Sequence, residues 1–528
     1  MNRGLGMLLT LLCCASAAQA QTAVGDSLWQ LGRHAEARAA YERAIAEDRN
    51  AVRANFRLAQ LAAWGQNIDS ALVLLRQARE RVPKDQDLLF TEATYLGWGR
   101  RYDDAIVRYD SILAAPTIDV APVRVARART LSWAGRLGDA ATAYAEILAA
   151  DPSDRDARYG LAQVRSWSGD LAGATRAYQQ LLADDPAEPR VLIGLAAIKL
   201  WQGRPGSAQR LLDRAAVRAP DDADLASLRR AARQAAGTRI GLGHNYSEDT
   251  DRNVNRWSTV RLQQMLGDAQ VSLTAGRLNA TDPARNSQRE MLEAGTALPL
   301  GPATLSGSVG LRQLQPVARF GDIAAGTERD LVTWRAALSL PLGSRLTANV
   351  GASAWPFDEI ASLLGAELDI DQVEGSLEWR VLRSLSLAIG ASQLSFSDGN
   401  TRRGGNVRIT QRLPGGFSVG AYGIGFDFAE RATVYFSPPD FRAAELTAGW
   451  GRETERWGAG LSGGYGRQRV RSGLPQQELW HIDARVNARL TSFLNLEAFA
   501  GRSTSAAASA VGAYRYDIIG LSLNVRPF

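Results

Sequence analysis

The sequence predicts a two-domain α + β protein, an N-terminal α-solenoid followed by a transmembrane antiparallel β-barrel of about 16 strands. Three observations predict it. Tryptophan recurs at intervals of about 34 residues through the first half, at Trp64, Trp98, Trp133, Trp167 and Trp201. From Thr238 onward, apolar and polar residues alternate with period two. The connections between the alternating stretches are short and long in turn. The expected divisions are a leader over 1–20, a solenoid over 21–236 and a barrel over 237–528.

The leader comes first. Arg3, the apolar "LGMLLTLLCCA" and the small-residue "AQA" before Gln21 have the order of a secretory signal. Leu12 stands before Cys13, where a lipid-acceptor cysteine normally follows a small residue, so lipidation is the weaker reading. Both cysteines, Cys13 and Cys14, lie in this segment, and the exported chain is expected to use neither disulfides nor cysteine-held metal. No other apolar run approaches the ~20 residues of a spanning helix, so any membrane crossing is by strands. Lys+Arg 61 against Asp+Glu 55 leaves a net charge of +6 without a polybasic stripe, which argues against a nucleic-acid partner.

Each of the five tryptophans is followed seven residues later by an alanine: Ala71, Ala105, Ala140, Ala174 and Ala208. A sixth copy, "LGRHAEARAAY", puts Ala37 in register without the tryptophan. Ala59, Ala93, Ala128, Ala162 and Ala196 mark the first helix of each unit; Tyr41, Tyr109, Tyr144 and Tyr178 mark the second, and Pro83, Pro152, Pro186 and Pro220 follow it. Alanines let two helices approach closely, and proline cannot continue a helix. Gly65, Gly99, Gly135, Gly169 and Gly203 are expected to make the turn after each tryptophan. The period and residue order resemble the tetratricopeptide repeat, with about six repeats and a terminal covering helix in "DDADLASLRRAARQAAG". The tryptophans are expected to pack in the repeat core; stacking on sugars along a concave face is the alternative.

In the second half "LWHIDARVNARL" places Trp480, Ile482, Ala484, Val486, Ala488 and Leu490 on one face, with His481, Asp483, Arg485, Asn487 and Arg489 on the other. Tight turns are expected at 266–268, 300–302, 342–344, 413–416 and 490–492. Longer loops are expected at 248–254, 280–287, 315–328, 355–369, 397–402, 429–440, 470–476 and 504–511. The terminal strand is expected to end on the aromatic Phe528, with a bulge at Pro527. A barrel of ~16 strands is wide enough to hold water. Its inner wall is expected to carry Arg335, Glu374, Glu378, Arg380, Arg408, Arg412, Glu445, Asp483, Arg485 and Arg489. These charges would form either a salt-bridged wall or a polar track for sugar hydroxyls or charged groups.

Leader, repeat solenoid and barrel in this order, with "ARTLSWAGR", "LAQVRSWSG" and "VYFSPPDF", resemble the outer-membrane exopolysaccharide exporters. These are the cellulose-secretion outer-membrane subunit, the poly-N-acetylglucosamine porin and the YaiO-type proteins. The resemblance implies a cell-outer-membrane protein whose solenoid lies in the periplasm and docks secretion or biosynthesis proteins. It implies a lipid-embedded barrel that passes a polysaccharide outward; the alternative is an anchored scaffold with a plugged barrel. Catalytic chemistry is not expected. His34, His244 and His481 are the histidines, and no sequence feature joins the latter two to a serine. Neither cofactor nor metal is expected: "GLGHNYSEDTDRN" lacks the ligand spacing of a calcium loop, and no glycine-rich stretch precedes a helix.

Overall fold

The computed structural model describes residues 17–316, 323–324, 328–358, 360–364, 367–506 and 515–526. Residues 1–16 of the expected leader, with both cysteines, and the expected bulge at Pro527 and Phe528 lie outside the described residues. The chain divides into two compact units, Met1–Gly194 and Leu195–Phe528.

The first unit contains α1 (17–30), α2 (His34–Glu47), α3 (Val52–Trp64), α4 (Ile68–Arg81), α5 (Gln86–Trp98) and α6 (Tyr102–Ala114). It continues with α7 (Val120–Trp133), α8 (Leu137–Ala150), α9 (Arg155–Trp167) and α10 (Leu171–Asp184). Aspartate or asparagine caps start several of these helices: Asn67 accepts from the Ser70 amide, Asp85 from Leu88, Asp154 from Ala157 and Asp170 from Gly173. Ala37, Ala71, Ala105, Ala140 and Ala174 are fully buried, as are Ala59, Ala93, Ala128 and Ala162. Small side chains at both repeat positions bring the paired helices together, and the tyrosines fill what remains. Tyr41, Tyr109, Tyr144 and Tyr178 are at most 2% exposed. Burial pushes the Tyr144 phenol up to about 12.

Two expectations about the turns need correcting. Gly135 and Gly169 take positive φ (75° and 90°), but at the turns after Trp64 and Trp98 the left-handed residue is Gln66 or Arg100, both at 60°. Gly65 and Gly99 stay near −78° and −77°. The turn needs one αL residue, and in those two repeats a non-glycine carries the strain. Gln66→Gly or Arg100→Gly is therefore expected to stabilise the unit by roughly 0.5–1 kcal/mol, read as a higher melting temperature by circular dichroism. An unchanged or lower value would contradict this.

The tryptophans are not in the core. Trp64, Trp98, Trp133, Trp167 and Trp201 are 58%, 49%, 37%, 41% and 56% exposed. Each is the last residue of its helix, beyond the level where alanine and tyrosine close the helix pair. The first repeat also has its tryptophan, Trp29, which the strict spacing missed because its turn is one residue longer. Its ring lies 5.1 Å from that of Trp64, with His34 packed edge-on against both.

After α11 (Pro189–Trp201) come α12 (Pro205–Ala216) and α13 (Ala223–Ala236), then the strands. These are β1 (Arg239–Asp249), β2 (Val254–Leu266), β3 (Ala269–Thr281), β4 (Arg285–Leu300), β5 (Ala303–Pro316), β6 (Ile323–Ala324), β7 (Arg329–Leu342), β8 (Leu346–Pro356) and β9 (Asp369–Arg380). They continue as β10 (Leu385–Phe396), β11 (Thr401–Arg412), β12 (Phe417–Phe428), β13 (Phe441–Glu453), β14 (Trp457–Arg469), β15 (Gln477–Arg489), β16 (Leu494–Ser503) and β17 (Tyr516–Val525), with a short helix, α14 (Ala361–Leu364), between β8 and β9. Apart from the two-residue β6, which lies parallel on β4, each strand pairs antiparallel with the next. β17 pairs with β1, Ile240 opposite Val525, and closes a sixteen-strand barrel. Closure leaves no unpaired edge strand among the described residues.

Alternate residues form an exposed apolar exterior, including Leu242, Val260, Leu273, Leu292, Val309 and Trp334. One end has tight turns with positive-φ glycines at Gly267, Gly301, Gly343 and Gly415. Two turns there, at 381–384 and 454–456, are additional to the expected set. The other end carries longer loops, but the expected loop at 280–287 shrinks to 282–284, because Asp282 accepts the Ala284 and Arg285 amides and β4 starts at once. On the tight-turn end, Asp268 accepts hydrogen bonds from the Ser207 amide (2.7 Å) and its hydroxyl, seating α12 on the β2–β3 turn. Arg204 donates to the Pro299 carbonyl at 3.0 Å.

Candidate functional site

Strand alternation decides what the lumen holds. Arg335, Glu374, Glu378, Arg380, Arg408, Arg412, Glu445, Asp483, Arg485 and Arg489 all lie on the parity opposite the exposed apolar residues of their strands. Register draws five lumen positions into one row: Glu378 opposite Ala388, Ala388 opposite Arg408, Arg408 opposite Tyr422 and Tyr422 opposite Glu445. The Arg408 guanidinium sits 4.9 Å from the centre of the Tyr422 ring.

Few of these charges pair. Arg485 meets Glu497 at 3.1 Å, and the His481 imidazole lies between Glu445 (3.1 Å from Nδ1) and Asp483 (3.7 Å from Nε2). Gly464 makes room for that contact, since a Cβ there would come 2.5 Å from the imidazole. The side chains of Arg335, Glu378, Arg380, Arg412 and Arg489 form no ion pair among the described residues, so a continuously salt-bridged wall is not what the strands build. A cavity of about 410 Å³ in this part of the lumen is lined by Asn349, Glu374, Ser376, Glu378, Arg408 and Tyr422.

Toward the long-loop end the lumen changes character. Ile360, Leu363 and Leu368 of the β8–β9 connection pack with Phe396, Phe426, Phe428 and Phe441 of the wall and with Tyr435 of loop 429–440. Tyr435, from "VYFSPPDF", stacks on Phe396 with ring centres 5.0 Å apart; its hydroxyl donates to Asp398 and accepts from Asn400. Burial pushes its phenol up to about 12.

One buried charge holds this strap. Asp358 is 2% exposed and accepts from Arg289 of β4 and, at 3.3 Å, from Arg312 of β5. Ala361 seats against Leu278 and Ala280 of β3. The described residues Asp358 and Ala361 of this connection therefore reach β3–β5. Sequence reading missed these three residues. Arg289 and Arg312 have the inward parity, and Asp358 follows the apolar "AWPF", but only tertiary contact joins them.

His244 lies on β1. Its Nδ1 lies 2.9 Å from Ser258 Oγ, which sits opposite it in register on the outward face. Among the described residues, no group of three or more His, Cys, Asp or Glu is arranged to hold a metal ion.

Tetratricopeptide-repeat family models match residues 28–89 and 168–232, and another matches residues 125–189. The helical half is a tetratricopeptide-repeat domain. A search of curated proteins finds no match. Among solved structures, the chain is similar to a "Bacterial polysaccharide outer membrane secretin" at 11% identity and TM-score 0.45, covering 55% of this chain and 98% of that one. It is similar to CdiB from Acinetobacter baumannii at 13% identity and TM-score 0.38, covering 55% of this chain and 60% of that one. A tetratricopeptide-repeat protein from Parabacteroides merdae is 17% identical with TM-score 0.38, covering 41% of this chain and 84% of that one. Such likenesses concern fold alone. Repeat domain and closed barrel with a lipid-facing apolar belt together have the architecture of an outer-membrane protein.

Proposed function

We propose that this protein is a non-enzymatic outer-membrane conduit for a polysaccharide, with its tetratricopeptide-repeat domain in the periplasm docking secretion or biosynthesis proteins. The observation that carries the reading is the two-part lumen: an accessible wall of largely unpaired charges, closed above by a strap held by one buried carboxylate. Unpaired charges and amides in a water-holding barrel can exchange hydrogen bonds with a passing hydroxylated chain. A strap made of a connection rather than a strand can leave without breaking the barrel's ladder. The repeats add a protein-docking scaffold, the usual work of stacked helical pairs.

The filled upper lumen favours a second reading, an anchored scaffold whose barrel never conducts. Planar-bilayer recordings separate the two. The full chain with residues 357–368 replaced by a short Gly-Ser link is expected to give stable single-channel currents that added oligosaccharide interrupts. Silence from that variant, once shown to be folded and inserted, would leave only the scaffold.

A further inference from the structure

The outward face of β11–β14 changes character toward the long loops. Nearer the tight turns it belongs to the apolar belt, with Ile409, Val419, Leu446 and Leu461 exposed. Nearer the long loops the same outward positions carry Arg403, Asp427, Arg442, Arg467 and Arg469. A groove of about 580 Å³ opens there, lined by Gly405, Gly423, Ala444 and the arginines Arg442, Arg467 and Arg469. No carboxylate is among its described lining residues. We infer that this groove docks a phosphorylated glycolipid of the outer leaflet, with its phosphates on the arginines and its acyl chains on the belt.

Cross-strand pairing is the first reason. Elsewhere on the outward face near this end, Arg277 faces Glu290 and Arg502 faces Asp517, and both are ion pairs. On β13 and β14, Arg442 stands directly opposite Arg469. Like charges directly opposite destabilise a sheet, and an anion between them removes the penalty. Arg467 extends the patch two residues along the same face, roughly 7 Å from Arg469.

The nearby acids do not use up this charge. Asp427 meets Arg442 at 2.7 Å, but both side chains are about half exposed, so water weakens the pair. Asp440 lies 3.8 Å from Arg469. Glu478, opposite Arg467, accepts from the Tyr465 hydroxyl, and Arg467 forms no ion pair among the described residues. Arg403, opposite Asp427, donates to Gln393. Four arginines thus meet three carboxylates, and a positive charge is left over.

Shape is the second reason. Arg442 lies flat across Gly425, where a Cβ would come 2.8 Å from its Cδ, so the glycine floor lets the guanidinium rest on the wall. Behind it the wall is solid: Phe441 is fully buried and packs with Phe426, Ala443 and Leu479. The groove therefore opens to lipid and not to the lumen. Guanidinium groups bind phosphate through paired hydrogen bonds. Exposed Val407, Leu446 and Tyr465 lie next to the groove on the belt side, where acyl chains would run. Outer-membrane barrels keep their longer loops outside the cell, which puts the groove at the outer leaflet. The site is independent of whether the barrel conducts.

The test is titration by native mass spectrometry of the full chain in detergent micelles, with three probes: lipid A carrying both phosphates, phosphatidylglycerol and inorganic phosphate. Lipid A is expected to bind roughly tenfold more tightly than phosphatidylglycerol. The double change Arg467→Gln and Arg469→Gln should weaken it roughly tenfold, as should Gly423→Leu, which fills the groove without altering charge. Arg502→Gln, which removes a charge from a closed pair on another sector, should leave binding unchanged. Equal binding of lipid A and phosphatidylglycerol would overturn the site, as would inorganic phosphate displacing lipid A at equal concentration. So would an unaffected Gly423→Leu variant, or a loss in Arg502→Gln as large as in the double variant. A chain that binds lipid A yet never conducts keeps this site and loses the conduit; one that conducts but ignores lipid A does the reverse.

Discussion

Asp358→Asn is expected to raise the open probability of the barrel in planar bilayers by roughly two to three orders of magnitude, with unit conductance unchanged. Removing one partner of a buried ion pair leaves uncompensated charge and costs about 3–5 kcal/mol. Here the cost falls on the strapped state, because Arg289 and Arg312 regain water when the strap leaves. The strap does not detach for good. Ile360, Leu363 and Leu368 remain buried, at about 1.5–3 kcal/mol each, and together they outweigh the lost latch. Openings should therefore become frequent but remain brief. Replacing Arg289, Arg312 and Asp358 together with leucine is expected to keep the barrel shut, since apolar packing can substitute for a buried charge cluster. Equal open probability for Asp358→Asn and the parent chain would show that the latch does not hold the strap.

Gly160→Ala is expected to lower the melting temperature of the repeat domain by roughly 2–10 °C, corresponding to about 1–3 kcal/mol of overpacking. A Cβ on Gly160 would fall 2.2 Å from the Tyr144 ring, and Tyr144 is 2% exposed with nowhere to turn. Gly25 under Tyr41 and Gly194 under Tyr178 repeat the arrangement. Gly138→Ala supplies the contrast. It lies in α8 with nothing within 4 Å of a Cβ, so the same change there should stabilise by about 0.5–1 kcal/mol. Circular-dichroism melts that move both variants in the same direction would refute the packing account. Tyr144→Leu in the Gly160→Ala background should recover part of the loss if the clash is the cause.

Much of the fold was legible because it follows from local periodicity. Alanine and tyrosine at fixed repeat positions announce helix pairs, and an inside-outside alternation over strands such as Gln477–Arg489 announces a sheet with unlike faces. Inward parity placed Glu378, Arg408 and Glu445 together on the lumen side before register aligned them. What failed was whatever depended on how much room neighbours leave. Trp64 and its counterparts have the bulk of core residues, yet in the Trp64 repeat Ala59, Ala71 and Leu75 already close the helix pair, so the indoles stay at the exposed helix ends. Likewise, glycine after tryptophan did not always make the turn, because Gln66 and Arg100 can reach the left-handed region at modest cost.

The candidate site divides along the same line. Sequence alone determined that a repeat of helix pairs precedes a barrel of alternating strands, because each property repeats over a few residues of backbone. Tertiary structure alone decided that Ala361 of the β8–β9 connection seats on β3 and that Asp358 meets Arg289 and Arg312. The ion pairs of Asp358 join residues 46 and 69 positions apart. Nothing local fixes such a meeting. The closed ladder sets which strands stand opposite one another, and the burial of one carboxylate then selects the two arginines that can neutralise it.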